Sequence, residues 1–420
     1  MTLTNGIFSM LAFLLPLGAY AQEGAPQPIA ASQDPDPMAA MEAAEAMDQW
    51  MTMFHGYAFL TFNRQGGPSG DFDVESGNHL MLMATRKWGG GKLSLLGTFT
   101  LEPATVPAGG SAELFQRGET HHGVLLVDRQ HPHDLFVQLG ASWERRLGVD
   151  AAIRLYLAPV GEPALGPVAY PHRLSASENP LAPLSHHNQD STHISYDVAT
   201  LGLSSSRVTL EGSVFHGAEP DENRWNIEAG KLDSYSGRLT LRPLSSVEIQ
   251  LSAGHLEHPE SVEPGDQTRT SASVGYTTTL PGGFLAASLI VGRNQTPEGP
   301  EWGNLLEWTW KFADRNFLYG RLESVDRDLY ELVHKRQRPE GIPRQRTLVQ
   351  AGTLGFVRDV PWLGRIESGV GGGVTLYRFS AKLDSIYGRR PVSFQVFYRV
   401  RFASDAGMAG MDHSHMHMPM

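Results

Sequence analysis

The last ten residues, Met411-Asp-His-Ser-His-Met-His-Met-Pro-Met420, carry seven metal-donor side chains: Met411, His413, His415, Met416, His417, Met418 and Met420. Thioethers select Cu(I), and neutral imidazoles take Cu(II), zinc or nickel. A short His-rich tract with no apolar pattern reads as metal binding, against the plainer reading of a solvated end. A second methionine group, Met38, Met41, Met47, Met51 and Met53, lies near the start of the chain. With Trp50 and Phe54 it fits one face of an ordinary short helix equally well.

Histidine is clustered as well. Eight of the 17 histidines fall between His121 and His193. His131, His133, His172, His186, His187 and His193, with Asp134 and Asp190 among them, form a donor set suited to zinc, copper, iron or nickel. His121, His122 and Asp128 lie in the same stretch. No spacing here equals a known metal motif, so polar loop residues making ordinary hydrogen bonds are the competing reading. His193, Ser195 and Asp197 invite a hydrolase reading. Residues i and i+2 on a strand are about 6.6 Å apart along it, too far for nucleophile–base contact. The chain also lacks a phosphate loop, a dinucleotide fingerprint and HExxH. It is read as a non-enzyme that requires no cofactor, with copper or zinc ions as candidate ligands.

The elements that position these residues alternate in polarity with period two. In 392–402, Val392, Phe394, Val396, Tyr398, Val400 and Phe402 fall on one face, and Ser393, Gln395, Arg399 and Arg401 on the other. Lipid outside and water inside is the simplest environment with that asymmetry. Val396 should face lipid and Gln395 the lumen, where arginine in its place should be tolerated. In lipid every backbone polar group must be paired within the protein, so only helices and closed barrels span. After the first 20 residues no stretch is apolar enough for a membrane helix.

The alternation predicts an all-β fold, a transmembrane antiparallel β-barrel of about 16 strands, within a range of 14 to 18. Strands are expected near 55–63, 77–85, 92–102, 134–144, 149–158, 191–202, 206–216, 235–242, 246–256, 268–280, 284–294, 303–313, 316–325, 347–358, 364–378 and 392–402. Short links, such as 86–91 and 145–148, alternate with long ones, the largest at 103–132, 159–190 and 326–346. Outer-membrane barrels have short periplasmic turns and long external loops. Residues 110–120, 175–185 and 335–345 should therefore be external, and both chain ends periplasmic. By parity Arg154, Arg207, Arg238, Lys311, Arg399 and Arg401 line the pore against Glu211, Glu248 and Glu307, with Arg242 and Glu144 beside them. A mixed lumen implies a hydrated or a plugged interior.

Residues 1–21 read as a signal peptide, with an apolar run from Ile7 to Leu17 and a small-x-small site at Ala19-Tyr20-Ala21. The remaining organisation is a periplasmic segment over 22–54 with a short Met-rich helix, a barrel over 55–402 and a periplasmic His/Met tail over 403–420. The absence of cysteine excludes a disulfide framework. A formal net charge of −11 without a compensating basic stripe excludes a general nucleic-acid binder. Mean hydropathy of −0.25 is low for a helical membrane protein and fits a barrel, where only alternate residues meet lipid.

On strand count, link alternation and the aromatic-ended last strand, the chain resembles bacterial outer-membrane porins across roughly 55–402. That resemblance implies an outer-membrane location, a homo-trimer, and a third external loop, 159–190, folded into the barrel. Porins usually end at the terminal aromatic residue, matched here by Phe402, yet 18 residues follow it. The segments Asp128-Arg-Gln-His-Pro-His-Asp134, Gly161-Glu-Pro-Ala-Leu-Gly-Pro167 and His186-His-Asn-Gln-Asp-Ser-Thr-His193 resemble those of a group of bacterial envelope proteins with no activity attached to it. The two Met/His-rich ends resemble copper-resistance outer-membrane proteins. Together these imply a porin-like channel that handles copper-like metal ions in export or tolerance, with lipid, small solutes or metal ions as partners. The alternatives are a general diffusion porin for small solutes and an outer-membrane hydrolase.

Overall fold

The computed structural model describes residues 49–403, apart from 262, 264, 364 and 365. The signal-peptide, Met38–Met47 and tail assignments lie outside these residues. Eighteen strands follow one another among the described residues. They are β1 Met51–Arg64, β2 Phe72–Trp88, β3 Gly91–Phe99, β4 Ser111–His121, β5 Val124–Gln130, β6 Phe136–Arg146, β7 Ala152–Gly161, β8 Ser195–Ser204 and β9 Val208–His216. Then come β10 Ser234–Leu244, β11 Val247–Leu256, β12 Gln267–Leu280, β13 Gly283–Thr296, β14 Gly299–Phe312, β15 Asn316–Asp328, β16 Arg346–Asp359, β17 Glu367–Arg378 and β18 Val392–Ala403.

Sixteen of them close into one antiparallel barrel, with β1 paired to β18 and β3 to β6. β4 and β5 form a separate two-stranded sheet. The face rule holds on the wall. On β18, Val392, Phe394 and Val396 are exposed, while Ser393, Gln395 and Arg399 are buried. Exposed leucines recur at Leu60, Leu82, Leu155, Leu201, Leu251 and Leu354, around the whole circumference. A soluble monomer rarely carries so extensive an apolar surface. A closed antiparallel barrel with that exterior is an outer-membrane barrel. No helix among the described residues is long and apolar enough to cross a membrane.

Four local expectations are corrected. Residues 51–54 continue β1 instead of forming a helix, because their alternation matches β2 residue for residue. The strand expected from 191 begins at Ser195, after a 3-10 turn at Ser191–His193. The link between β13 and β14 is two residues, not a long loop, because both strands run on to pair Thr296 with Gly299. The hairpin β4–β5 lies inside the stretch expected to be a loop. Its residues 111–119 are all buried, so no polar face marks it as a strand.

Inward segments occupy the lumen. Residues 162–194 fold inward, as the porin resemblance implies, and the lumenal charges seat them on the wall. Arg173 Nε donates to Glu307 (2.7 Å). Arg238 pairs with Glu162 (3.4 Å) and Glu211 (3.0 Å). Glu178 pairs with Arg399 and with Arg401 (2.8 Å). Arg327 donates to the backbone oxygens of Phe115 in the hairpin and Leu184 in the loop, so one side chain ties both to β15. A void between residues 167–175 and β11–β13 holds about 40 Å³, room for a few waters at most. The pore-lining expectation therefore changes meaning: these charges are anchors, and Arg154, 3.8 Å from Glu211, shares their network. Glu248 pairs with Arg242 (3.1 Å), Glu144 with Lys92 (3.0 Å), and Lys311 lies over the Phe317 ring. Arg207 is corrected outright. It is exposed in the β8–β9 turn, because β9 starts at Val208.

Two predictions follow from this wall. Val396→Arg should cost about 2–4 kcal/mol near the bilayer midplane, read as a loss of folding yield in lipid vesicles. Gln395→Arg should also fold poorly, contrary to the sequence expectation. Gln395 is buried and its amide donates to Asn179 of the inward loop (3.0 Å) and to Tyr319 (3.2 Å). For orientation, the cysteine-free chain allows single cysteines at the exposed Glu340, in the link after β15, and Asp150, in the β6–β7 turn. A membrane-impermeant thiol reagent on intact cells should label position 340 and spare 150; the reverse pattern inverts the topology. Gly110 is unsuited to this, being buried with a φ of 86° and the Gln130 carbonyl against any added Cβ.

Candidate metal centre

Two inward segments bring the histidines together. One is residues 100–135, which carry the hairpin, and the other is 162–194. Potential ligand atoms of His133, His186 and His193 all lie within 4.8 Å of one another, and all three residues are buried. Their ring centroids stand 5.1 Å apart for His133–His193 and His186–His193, and 6.5 Å for His133–His186.

Each ring is held from behind. His133 Nδ1 is 2.7 Å from Glu102 Oε2, which also accepts the His133 backbone N–H (2.9 Å). Glu102 opens a one-turn helix, Glu102–Thr105, directly after β3. His186 opens the one-turn helix His186–Gln189, and its Nδ1 is 2.6 Å from Asp190 Oδ1. His193 Nδ1 is 2.8 Å from the backbone oxygen of Asp190. These acceptors require Nδ1 to carry the proton in all three rings. Nε2 is then the lone-pair nitrogen, and those of His133 and His193 are buried without a partner. A carboxylate or carbonyl behind each imidazole is the arrangement that orients metal-binding histidines and raises their basicity. The accompanying void is about 10 Å³, the space of one water or one ion.

The charge balance suits a cation. Burial pushes the Asp190 carboxyl up, but Arg173 and His186 outweigh it and hold it well below the usual carboxylate range. Burial, with His133 and His186 adjoining, holds His193 well below the ordinary histidine value. It is therefore neutral near pH 7, as a ligand must be. Burial also works to lower His133, but Glu102 outweighs it and raises the ring above its ordinary value, so a metal must compete with a proton for its Nε2.

The other expected loop residues lie around this centre. His131 faces Glu119 (3.1 Å) and packs 6.1 Å from His133. His187 lies edge-to-face with His186 at 5.2 Å, and both its ring nitrogens lack hydrogen-bond partners. Gly118 must be glycine there: φ is 129°, and an added Cβ would lie 2.2 Å from the His187 ring. His172 stands apart from the three, 5.7 Å from His79, and burial lowers it to about 4. Asp134 is corrected from ligand to ion-pair partner. It accepts from Arg224 (3.1 Å) and the Tyr196 hydroxyl (3.0 Å). Asp190 supports a ligand and is not one of the three converging groups. His121 and His122 stack on each other at 4.1 Å near the hairpin tip. Sequence reasoning missed Glu102, Glu119 and His79, none of which has a motif spacing to mark it. The seven tail donors lie outside the described residues.

Ser195, His193 and Asp197 do not assemble as a triad. The Ser195 hydroxyl donates to the Thr192 carbonyl (2.9 Å), His193 Nδ1 faces Asp190, and Asp197 accepts from the Gly230 N–H (2.8 Å).

No family model matches the chain, and no curated protein matches it. Solved structures similar to it in fold are outer-membrane proteins. An anion-selective porin from Comamonas acidovorans aligns with a TM-score of 0.51 at 12% identity, over 84% of this chain and 100% of that one. OprB from Pseudomonas putida, at high pH, aligns with a TM-score of 0.50 at 8% identity, over 85% and 94%. At these identities the likeness is one of fold.

Proposed function

We propose that this outer-membrane barrel handles transition-metal ions, and that its inward loops bind one such ion on His133, His186 and His193. The observation that carries the reading is the convergence of three buried imidazoles, each with Nδ1 engaged from behind. Three histidines with a fourth position open suit zinc or copper, held without covalent chemistry. A role in export or tolerance of copper-like metals follows if the ion is cargo. The trimer implied by the porin resemblance belongs to the same proposal.

Purified protein stripped with a chelator should take up zinc or Cu(II) at the lumenal site. The triple variant His133→Ala/His186→Ala/His193→Ala should lose one equivalent. Deleting 408–420 should remove the tail's equivalents and leave that one. Identical stoichiometry in the triple variant and the parent would end the reading. Cells lacking the gene should then differ from the parent in metal sensitivity.

A second reading, a general diffusion porin, is favoured by the barrel fold shared with the Comamonas porin. Single-channel conductance separates the two. A diffusion porin conducts steadily without metal, whereas a lumen filled by residues 162–194 should conduct little.

A further inference from the structure

The four methionines of residues 49–403 are Met51, Met53, Met81 and Met83. All four lie on one hairpin, β1–β2, at positions of one parity. Met53 pairs with Met83, His55 with Met81, and Tyr57 with His79. Directly opposed residues on an antiparallel pair hold their Cβ atoms about 4.5–5.5 Å apart. Successive rungs on one face are about 6.8 Å apart.

This face is the lumenal one. Phe54, Leu60, Leu80 and Leu82, of opposite parity, are exposed to the lipid side, while Phe59, His79 and Met81 are buried. Met53, His55 and Met83 are partly buried near the barrel's short-turn mouth, where β1 starts and β2 ends. Elsewhere the lumenal positions mix Ser, Thr, Gln, Glu and Arg with aromatic and aliphatic residues, and among the described residues none is a thioether. Four thioethers and an imidazole in one patch are thus a local change of chemistry.

A second, independent observation lies at the inner end. The His79 side chain is 3% exposed. Its Nδ1 is 2.7 Å from the Tyr57 hydroxyl, and its Nε2 has no partner. The ring stands 5.8 Å from His133 and 5.7 Å from His172. The ladder therefore leads from the short-turn mouth to the histidines of the inward loops.

We propose that the lumenal face of β1–β2 is a binding site for a soft monovalent metal of the Cu(I) class, held by Met53, Met81, Met83 and His55, and is the entry to the lumenal histidines. Thioethers select such ions over zinc. Only the destination rests on the metal-centre reading; the binding site stands without it.

The test is methionine footprinting of the full-length protein by mass spectrometry, with Ag(I) as a redox-inert probe. A coordinated thioether has its sulfur lone pair engaged, so bound Ag(I) should slow peroxide oxidation of Met53, Met81 and Met83 about fivefold or more. Zn(II) should give no protection. The same protection should persist in His133→Ala/His186→Ala/His193→Ala, whose zinc stoichiometry reports separately on the centre. The proposal is overturned if Ag(I) leaves the oxidation of Met53, Met81 and Met83 unchanged while protecting the tail methionines in the same sample. It is equally overturned if Zn(II) protects them as well as Ag(I), since the effect is then a change of access. Met53→Leu/Met83→Leu, which keeps volume and polarity close to the parent, should fold and leave Met81 oxidising at the same rate with and without Ag(I).

Discussion

Glu178→Ala should open this barrel. Glu178 is the loop's charged grip on the last strand, beside the Asn179–Gln395 bond: its carboxylate meets Arg399 and Arg401, and its side chain is fully buried. Removing one partner of a buried ion pair typically costs about 3–5 kcal/mol, because the other charge is left in a poor environment. Here the loop should bear most of that cost. Arg399 keeps Asp359 and Glu367 (2.8 Å) on the wall, so the barrel retains a paired guanidinium while the loop loses its carboxylate. Single-channel conductance in planar bilayers should rise clearly above that of the parent, with the barrel still folded by its resistance to detergent. Unchanged conductance would mean that the loop is held by its other contacts alone, Arg173–Glu307 foremost.

Asp190→Asn should cost about 10–100-fold in zinc affinity, the usual effect of losing the group behind a ligating histidine. Asp190 serves two partners with two oxygens. Oδ1 faces His186 Nδ1, while Oδ2 accepts from Arg173 and from the Tyr170 N–H (3.0 Å). An amide has one oxygen. Turned toward Arg173, it presents N–H to the His186 N–H; turned toward His186, it presents N–H to a guanidinium. Either way one buried donor goes unmet. His193 should be spared, because it uses the backbone oxygen. Competition with a chromophoric chelator measures the change, and Glu102→Gln should produce a similar loss through His133. An Asp190→Asn variant that binds zinc as the parent does would remove His186 from the ligand set.

The barrel was legible because lipid and lumen impose opposite demands on alternate residues, as at Val396 and Gln395. Wherever both sides of a segment are buried in protein, that contrast disappears. This is why the hairpin at Ser111–Gln130 read as loop: Leu114 and Gln116 are equally buried, and bulges break its pairing. It is also why lumenal charges could be placed by parity but not given their partners. Glu162 and Glu178 come from a loop with no periodicity to fix where they point. The histidines of 131–193 drew notice by density. Which three converge depends on a single helical turn and a 3-10 turn on either side of Asp190. Glu102 had no signal, since it meets His133 only through the fold of 30 intervening residues.

One further consequence lies in the order of the chain. The three imidazoles and both carboxylates behind them come from residues 102–193, one contiguous stretch of the barrel sequence. Much of the wall on which the loop rests comes from later strands, β10 through Arg238 and β14, β15 and β18 through Glu307, Arg321, Arg327 and Arg399. The seam between β1 and β18, from His55–Ala403 to Arg64–Phe394, joins the two ends of that sequence. Nest and container are therefore drawn from different parts of the chain, and in the closed barrel an ion reaches the cluster through a mouth and not through the wall.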